Sequence, residues 1–152
     1  MGYLTLTEQR ERDMRRLYRR LTREGKVNMN IIDLRDRADI IRNSRAPRLY
    51  ISAKVAMKLV KEYESAGGAT CRKEEAVRRQ LYIVSEYRRL KASKLIKNKS
   101  AINICNIIVN QAAPSFFVSR QMTFRALFWY NTVKKRKERY EQKNRNKQRI
   151  GD

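Results

Sequence analysis

The sequence predicts an all-α fold, with at most two very short strands, in which two three-helix units follow each other as a tandem repeat. Apolar residues recur at three- and four-residue spacing through most of the 152 residues. Hydrophobic residues make up 41% of the chain, which is enough for a buried core. The stretch "SRAPRLYISAKVAMKLVKEY" also has nearly the same layout as the later "QAAPSFFVSRQMTFRALFWY". We therefore predict a first unit over 1–66, a second unit over 67–133 that shares its core, and a basic tail over 134–152.

The first unit begins with a helix between Thr7, whose side chain can cap it, and Gly25, a residue type suited to end it. A second helix is predicted over 29–42. Both helices carry an apolar stripe at helical spacing. The stripe of the first helix is Met14, Leu17, Tyr18 and Leu21, and that of the second is Ile31, Leu34, Ala38 and Ile41.

The segment after the second helix contains Pro47, which disfavours helix at the residue before it. The apolar triplet 49–51 is therefore expected to form a short strand or an extended turn. Ser52 is a good cap for a third helix that ends near Gly67. The inward positions of this helix are predicted to be Val55, Leu59, Val60 and Tyr63.

The second unit repeats this order. A long fourth helix is predicted over 73–93, a fifth, rich in Ile, over 101–110, and a sixth after the capping residue Ser119. The contact positions of the fourth helix are expected to be Val77, Leu81, Val84 and Tyr87. Because the tail over 134–152 carries almost no apolar stripe, it is expected to be an extended solvated helix or to be disordered without a partner.

Two matches indicate the repeat. A shift of 67 residues places Pro47 on Pro114 and Ser52 on Ser119, and "YRRL" at 18–21 recurs at 87–90, a shift of 69. The two-residue difference falls in a connection between helices, where an insertion costs little. We therefore predict a tandem duplication whose two units pack about a pseudo-twofold axis.

The net charge points to a polyanionic partner. The chain carries 37 Lys and Arg against 15 Asp and Glu, a net charge of +22. Self-repulsion among these charges opposes folding, and a much smaller charge would keep the protein in solution. DNA, RNA or an acidic protein surface are the partners that such a charge suits. The tail contributes nine basic and three acidic residues, and we expect Lys134, Lys135, Arg136 and Lys137 to contact phosphates without reading sequence.

The segment "FVSRQMTFRAL" resembles the recognition half of a helix-turn-helix, and "YISAKVAMKLV" resembles it more faintly. The resemblance implies that Arg120, Gln121 and Arg125 enter the major groove, where Arg pairs with guanine and Gln with adenine. In the third helix Lys54, Lys58 and Lys61 form an outward stripe, and Arg48 lies near enough to join it. The Ala-Pro layout is also similar to that of small uncharacterised basic proteins of gut-bacterial phages and mobile elements.

Catalysis is not expected, and neither is a cofactor or a metal. The chain has no His, its two cysteines have no metal-like spacing, and no Gly-rich phosphate loop is present. The row Asp33, Asp36 and Asp39 is better explained by ion pairs with neighbouring arginines than by Mg²⁺. No stretch resembles a signal peptide or a membrane span, so a cytoplasmic or intravirion location is expected.

These patterns leave two functions open. The first is a non-enzymatic protein that binds nucleic acid, with duplex DNA favoured, through the helix faces after Ser52 and Ser119 and through the tail. The alternative is a structural component of a virion or ribonucleoprotein, whose charge neutralises nucleic acid or docks onto an acidic protein surface. Adsorption to an anionic membrane is disfavoured because the apolar face of the first helix is needed for the core. The oligomeric state stays open.

Overall fold

The computed structural model describes residues 3–25 and 28–150, of which 129–136 and 150 are described by their backbone alone. The all-α prediction is confirmed: no strand occurs in these ranges, and the β-structure there is one antiparallel bridge between Ala46 and Ala113. A short 3₁₀ helix, Met29–Ile31, precedes α2, and a π-helical turn, Arg125–Trp129, joins α6 to α7. The helices are α1 Leu6–Glu24, α2 Leu34–Arg42, α3 Ala53–Ala66, α4 Glu74–Ala92, α5 Ala101–Asn110, α6 Arg120–Phe124 and α7 Tyr130–Ile150.

Serine caps define three helix starts. The Ser52, Ser100 and Ser119 hydroxyls accept hydrogen bonds from the third backbone N–H of α3, α5 and α6, respectively. Gly25 and Gly67 end α1 and α3 in the left-handed conformation, with φ of 65° and 70°, which glycine adopts without steric cost. These boundaries agree with the sequence prediction to within one or two residues.

The starts of the first two helices were predicted wrongly. α1 is capped by Thr5, whose Oγ1 accepts from Glu8 N at 3.1 Å, so Thr7 lies inside the first turn. The helix predicted over 29–42 is interrupted at Ile32, which is extended. The Ile32 carbonyl accepts from Arg37 Nε at 2.7 Å, and Arg37 Nη1 also contacts the Tyr18 hydroxyl at 3.1 Å. This side chain ties the break to α1, and a helical pattern in the sequence does not reveal such a tertiary contact.

Four predicted core positions are exposed to solvent: Ile31, Leu34, Val55 and Leu81. In α3 the buried face is centred on Ala56, whose small side chain permits close packing, and Val55 points away from it. In α4 the buried face includes Gln80, which turns Leu81 outward. The apolar stripes of α3 and α4 were therefore predicted with the right period and a rotation of about one residue, whereas Met14, Ala38 and Ile41 in α1 and α2 are buried as predicted.

The helices form two clusters. Each cluster combines the first two helices of one predicted unit with the third helix of the other unit. α3 packs against α4 and α5, whereas α6 packs against α2 and the π-helical turn packs against α1. The third helix of each sequence-predicted unit thus contacts the first two helices of the other unit. One continuous core joins the clusters and includes Met14, Ile41, Ile83, Ile104 and Ile108, each fully buried.

The two Ala-Pro segments cross at the centre of the molecule. The backbones of Ala46 and Ala113 exchange both hydrogen bonds, each at 2.9 Å. On either side, Leu49 N donates to Val109 O and Phe116 N donates to Arg42 O, both at 3.1 Å. These bonds satisfy carbonyls at the ends of α2 and α5, which lack helical partners. The extended segments therefore fasten each cluster to the other.

In the part of the chain that the structure describes, no helix combines the length and the apolar character needed to cross a bilayer.

Candidate functional site

Several acidic side chains of the helices are paired with nearby arginines. Asp39 pairs with Arg42 and Arg120, Glu64 with Arg88, Glu74 with Arg78, Glu75 with Arg42, and Glu86 with Arg89. The candidate site consists of exposed basic side chains outside these pairs that lie on the outer faces of α1, α3 and α7.

The lysine stripe predicted on α3 is present. Lys54, Lys58 and Lys61 are all exposed and line one open groove of ≈ 740 Å³, together with Met57 and the end of α3. Lys58 Nζ lies 3.8 Å from Glu62 Oε1, and both side chains are well exposed. Such a pair contributes little to stability, so Lys58 can exchange Glu62 for another anion at low cost.

A second basic stripe lies on α1. Arg16, Arg20 and Arg23 are exposed and follow the spacing i, i+4 and i+7 along one side of the helix. Together with Arg45 they line a groove of ≈ 530 Å³ whose floor includes Pro47. Among the described residues, no carboxylate lies within ion-pair distance of these four guanidinium groups. The acid nearest to them in the groove lining, Asp13, accepts from the Tyr50 hydroxyl at 2.7 Å and from Arg12 at 3.3 Å.

This arginine stripe was not among the sequence-predicted site residues. The density of arginine on the first helix was visible in the sequence. The contribution of Arg45 could not be seen in the sequence, because it depends on the Ala-Pro segment folding back against α1.

The predicted recognition segment has a different environment. The Arg120 guanidinium is paired with the carboxylate of Asp39, which also accepts from Arg42 Nε at 2.7 Å. The hydrogen bond from Arg120 is the main cause that holds the pKa of Asp39 below its usual range. Arg120 would therefore have to leave Asp39 in order to contact a base. Gln121 and Arg125 are exposed, on a helix that passes into the π-helical turn after five residues.

Arg48 is half-buried and its Nε donates to the carbonyl of Leu49 at 2.8 Å. This bond holds the guanidinium against the Ala-Pro segment. The structure therefore does not bring Arg48 into the groove lined by the lysine stripe.

The basic tail forms most of α7. From Lys137 to Arg149 its side chains are all exposed, including Tyr140, so the helix presents its charge on every side. The side chains of Lys134, Lys135 and Arg136 lie outside the described residues. A solvated basic helix of this kind can follow an anionic surface without a shaped pocket.

The described residues contain no group of three or more Cys, Asp or Glu side chains able to hold a metal ion. Cys71 and Cys105 are free thiols, and burial raises the pKa of the Cys105 thiol, which lowers its reactivity. Asp39 is occupied by its two arginines, and Asp33 caps α2 through its backbone.

Comparison of the chain with protein-family models, with curated proteins and with solved structures finds no match in any of the three.

Proposed function

We propose that the protein is a non-enzymatic nucleic-acid-binding protein that contacts the phosphate backbone, with duplex DNA favoured, through the outer faces of α1 and α3 and through α7. The observation that carries this proposal is the separation of charge described above. Several acidic residues are held in local ion pairs. Among the described residues, the Arg stripe on α1 has no carboxylate partner and the Lys stripe on α3 has one weak pair. Regularly spaced cations on helices neutralise phosphates and release counterions.

We also propose that the chain is a tandem duplication with exchanged third helices. The bond from Leu49 to Val109 and the bond from Phe116 to Arg42 are related by the 67-residue shift, and the reciprocal bridge of Ala46 and Ala113 lies between them. Buried positions also match under that shift. The matched pairs are Ala38 and Cys105, Ile41 and Ile108, Leu49 and Phe116, Ile51 and Val118, Ala56 and Thr123, Leu59 and Ala126, and Val60 and Leu127.

Salt-dependent binding tests the function. The fluorescence anisotropy of a labelled duplex, of the corresponding single strand and of RNA would be measured from about 50 to 400 mM salt. Two triple variants, Arg16/Arg20/Arg23→Gln and Lys54/Lys58/Lys61→Gln, remove the stripes. Each is expected to weaken duplex binding at least tenfold. Each should also reduce the slope of log K against log salt by about 0.9 for every phosphate contact that is lost.

The matched control removes the same charge from paired arginines. Arg78, Arg88 and Arg89 each lie in an exposed ion pair with a glutamate, so Arg78/Arg88/Arg89→Gln changes the net charge by the same amount. We expect it to change affinity by less than half as much on a logarithmic scale. Equal losses of duplex affinity in all three variants would refute a specific role for the α1 and α3 stripes. Absence of binding to all three nucleic acids would refute the proposed function.

The second candidate, a structural component of a virion or ribonucleoprotein, is favoured by α7 alone, because a fully exposed basic helix needs no defined target. In that case deletion of 134–152 weakens binding more than either stripe variant. Sequence-specific readout by the recognition segment predicts the opposite pattern. Arg120→Ala and Gln121→Ala would then reduce the preference between duplex sequences while leaving non-specific affinity nearly unchanged.

A further inference from the structure

A third groove, separate from the basic stripes, lies between the starts of α1 and α4 and the 117–122 segment, with a volume of ≈ 570 Å³. Its size is within the range of small-molecule sites. The groove contains five basic side chains and two carboxylates. The basic residues are Arg10, Arg42, Lys73, Arg79 and Arg120, and the acidic residues are Glu74 and Glu75.

The carboxylates of this groove are already paired. Glu75 accepts from Arg42 at 2.9 Å, and Glu74 accepts from Arg78 at 2.7 Å. Arg120 is paired with Asp39, outside the groove lining. The remaining cations, Arg10, Arg79 and Lys73, have no carboxylate within ion-pair distance in the described part of the chain.

The Nε atoms of Arg10 and Arg79 are also cut off from water. Both side chains are half-buried, and the Nε atom of each is buried without a hydrogen-bond acceptor among the described residues. Burial is the main cause that lowers the pKa of Arg10. The negative charge of Glu11 raises this pKa, and the positive charge of Arg79 lowers it. Two unpaired guanidinium groups of like charge are therefore held near each other at a desolvation cost.

Phe117 borders the same groove in a strained conformation. Its φ of 52° is rare for an aromatic residue, and its N–H donates to Ser115 Oγ at 3.2 Å. Its ring lies 5.7 Å from that of Tyr82, which fixes the wall beside Arg79. The groove is therefore shaped by packed residues rather than by a loose surface.

We propose that this groove binds a phosphate group, held by the guanidinium groups of Arg10 and Arg79 with Lys73 at its mouth. A phosphate oxygen accepts hydrogen bonds from guanidinium N–H groups and neutralises both charges at once. The phosphate can belong to a nucleic-acid backbone or to a free phosphorylated compound. This inference goes beyond the proposed function, since it requires neither the α1 stripe nor the α3 stripe.

The positions of the two arginines fit the proposed duplication. Each lies eight residues before the tyrosine of a "YRRL" motif, so the 69-residue shift places Arg10 on Arg79. The two guanidinium groups would then approach the phosphate from both sides of the pseudo-twofold axis. The equal spacing of Arg10 and Arg79 from the two motifs is visible in the sequence, whereas the burial of their Nε atoms is not.

Thermal unfolding of the full chain tests the site, with inorganic phosphate and pyrophosphate as probes and NaCl at the same ionic strength as the reference. At a concentration about 100 times the Kd, phosphate should raise the Tm of the wild-type protein by roughly 5–10 °C. Arg10→Gln and Arg79→Gln, made separately, should lose most of this rise. Arg89→Gln removes an equal charge from a paired arginine outside the groove and should keep it.

Without phosphate, the variants provide a second measurement. Because each removes a desolvated and unpaired charge, Arg10→Gln and Arg79→Gln should have a Tm equal to or above that of the wild type. A clear fall in Tm would overturn the proposal, since the guanidinium would then be stabilised by the protein alone. An equal phosphate effect in all variants, or no effect in the wild type, would also overturn it.

Duplex binding by Arg79→Gln identifies the source of the phosphate. A tenfold loss of duplex affinity, with the loss of the phosphate-dependent rise in Tm, assigns the site to a nucleic-acid backbone. Unchanged duplex affinity, with the same loss of the rise in Tm, assigns it to a free phosphorylated compound. Both results support the phosphate site. Unchanged duplex affinity supports it even if the proposed nucleic-acid function is refuted.

Discussion

Replacement of Gln80 by Met is expected to destabilise the fold by more than any surface substitution on α4. Gln80 is fully buried and makes four hydrogen bonds that tie α4 to the end of α3 and the following loop. Its Oε1 accepts from Thr70 N at 2.9 Å and from Cys71 N at 3.3 Å. Its Nε2 donates to Leu59 O at 3.0 Å and to Thr70 Oγ1 at 2.9 Å.

Met has nearly the helix propensity of Gln and a similar length, so Gln80→Met removes the bonds with little change in shape. A net value of about 0.5–1.5 kcal/mol for each bond gives roughly 2–6 kcal/mol in total. Thr70 is exposed, so water replaces part of what it loses. We therefore expect a loss of about 2–4 kcal/mol in the free energy of unfolding, and a fall in Tm of roughly 5–12 °C.

Urea unfolding followed by circular dichroism at the helix band measures this loss. Gln121→Met is the matched control, because Gln121 is exposed on α6, and it should change stability by less than about 0.5 kcal/mol. A loss below about 1 kcal/mol for Gln80→Met would mean that the loop at 70–71 does not depend on this side chain in solution.

Four further substitutions test the core and the charge network. Ile41→Ala and Ile108→Ala, both at fully buried positions, should each cost about 2–5 kcal/mol in urea unfolding, whereas Ile102→Ala on the exposed side of α5 should cost much less. Asp39→Asn removes a carboxylate whose pKa is lowered chiefly by the hydrogen bond from Arg120. Its stabilising effect is present above the ordinary Asp pKa of about 4 and is lost as the pH falls below it, so the difference in stability between wild type and variant should shrink below about pH 4. Tyr50→Phe removes the donor to Asp13 and should cost about 1–3 kcal/mol, against no measurable change for Tyr140→Phe on the exposed part of α7.

The helix boundaries were largely predictable because they depend on local chemistry. Ser52, Ser119, Gly25 and Gly67 act on backbone groups within a few residues, so their roles can be inferred from their positions alone. The break at Ile32 was not predictable, since it depends on Arg37 reaching both a carbonyl and a tyrosine of another helix. The burial of Gln80 was also not predicted, because a polar residue in a helical pattern is ordinarily exposed.

The candidate site was predictable in its charge but not in its details. The excess of Lys and Arg is a property of composition, and the stripe on α3 follows from helical spacing. Which arginines are already neutralised depends on contacts between distant residues, such as Arg120 with Asp39 and Arg88 with Glu64. Spacing therefore predicts where a cation lies on its own helix, whereas folding determines whether it has a partner.

Under the proposed duplication, the two halves share their buried positions but not their surface residues. The buried positions match closely because each must fill a space set by its neighbours, and a change in volume there is costly. The surface is not matched: the 69-residue shift places Arg16, Arg20 and Arg23 on Ser85, Arg89 and Ala92, and Arg89 is already paired with Glu86. The arginine stripe and its groove with Arg45 therefore belong to one half only. If this face contacts nucleic acid, the protein approaches its partner in one orientation, even though the proposed duplication would give its scaffold nearly twofold symmetry.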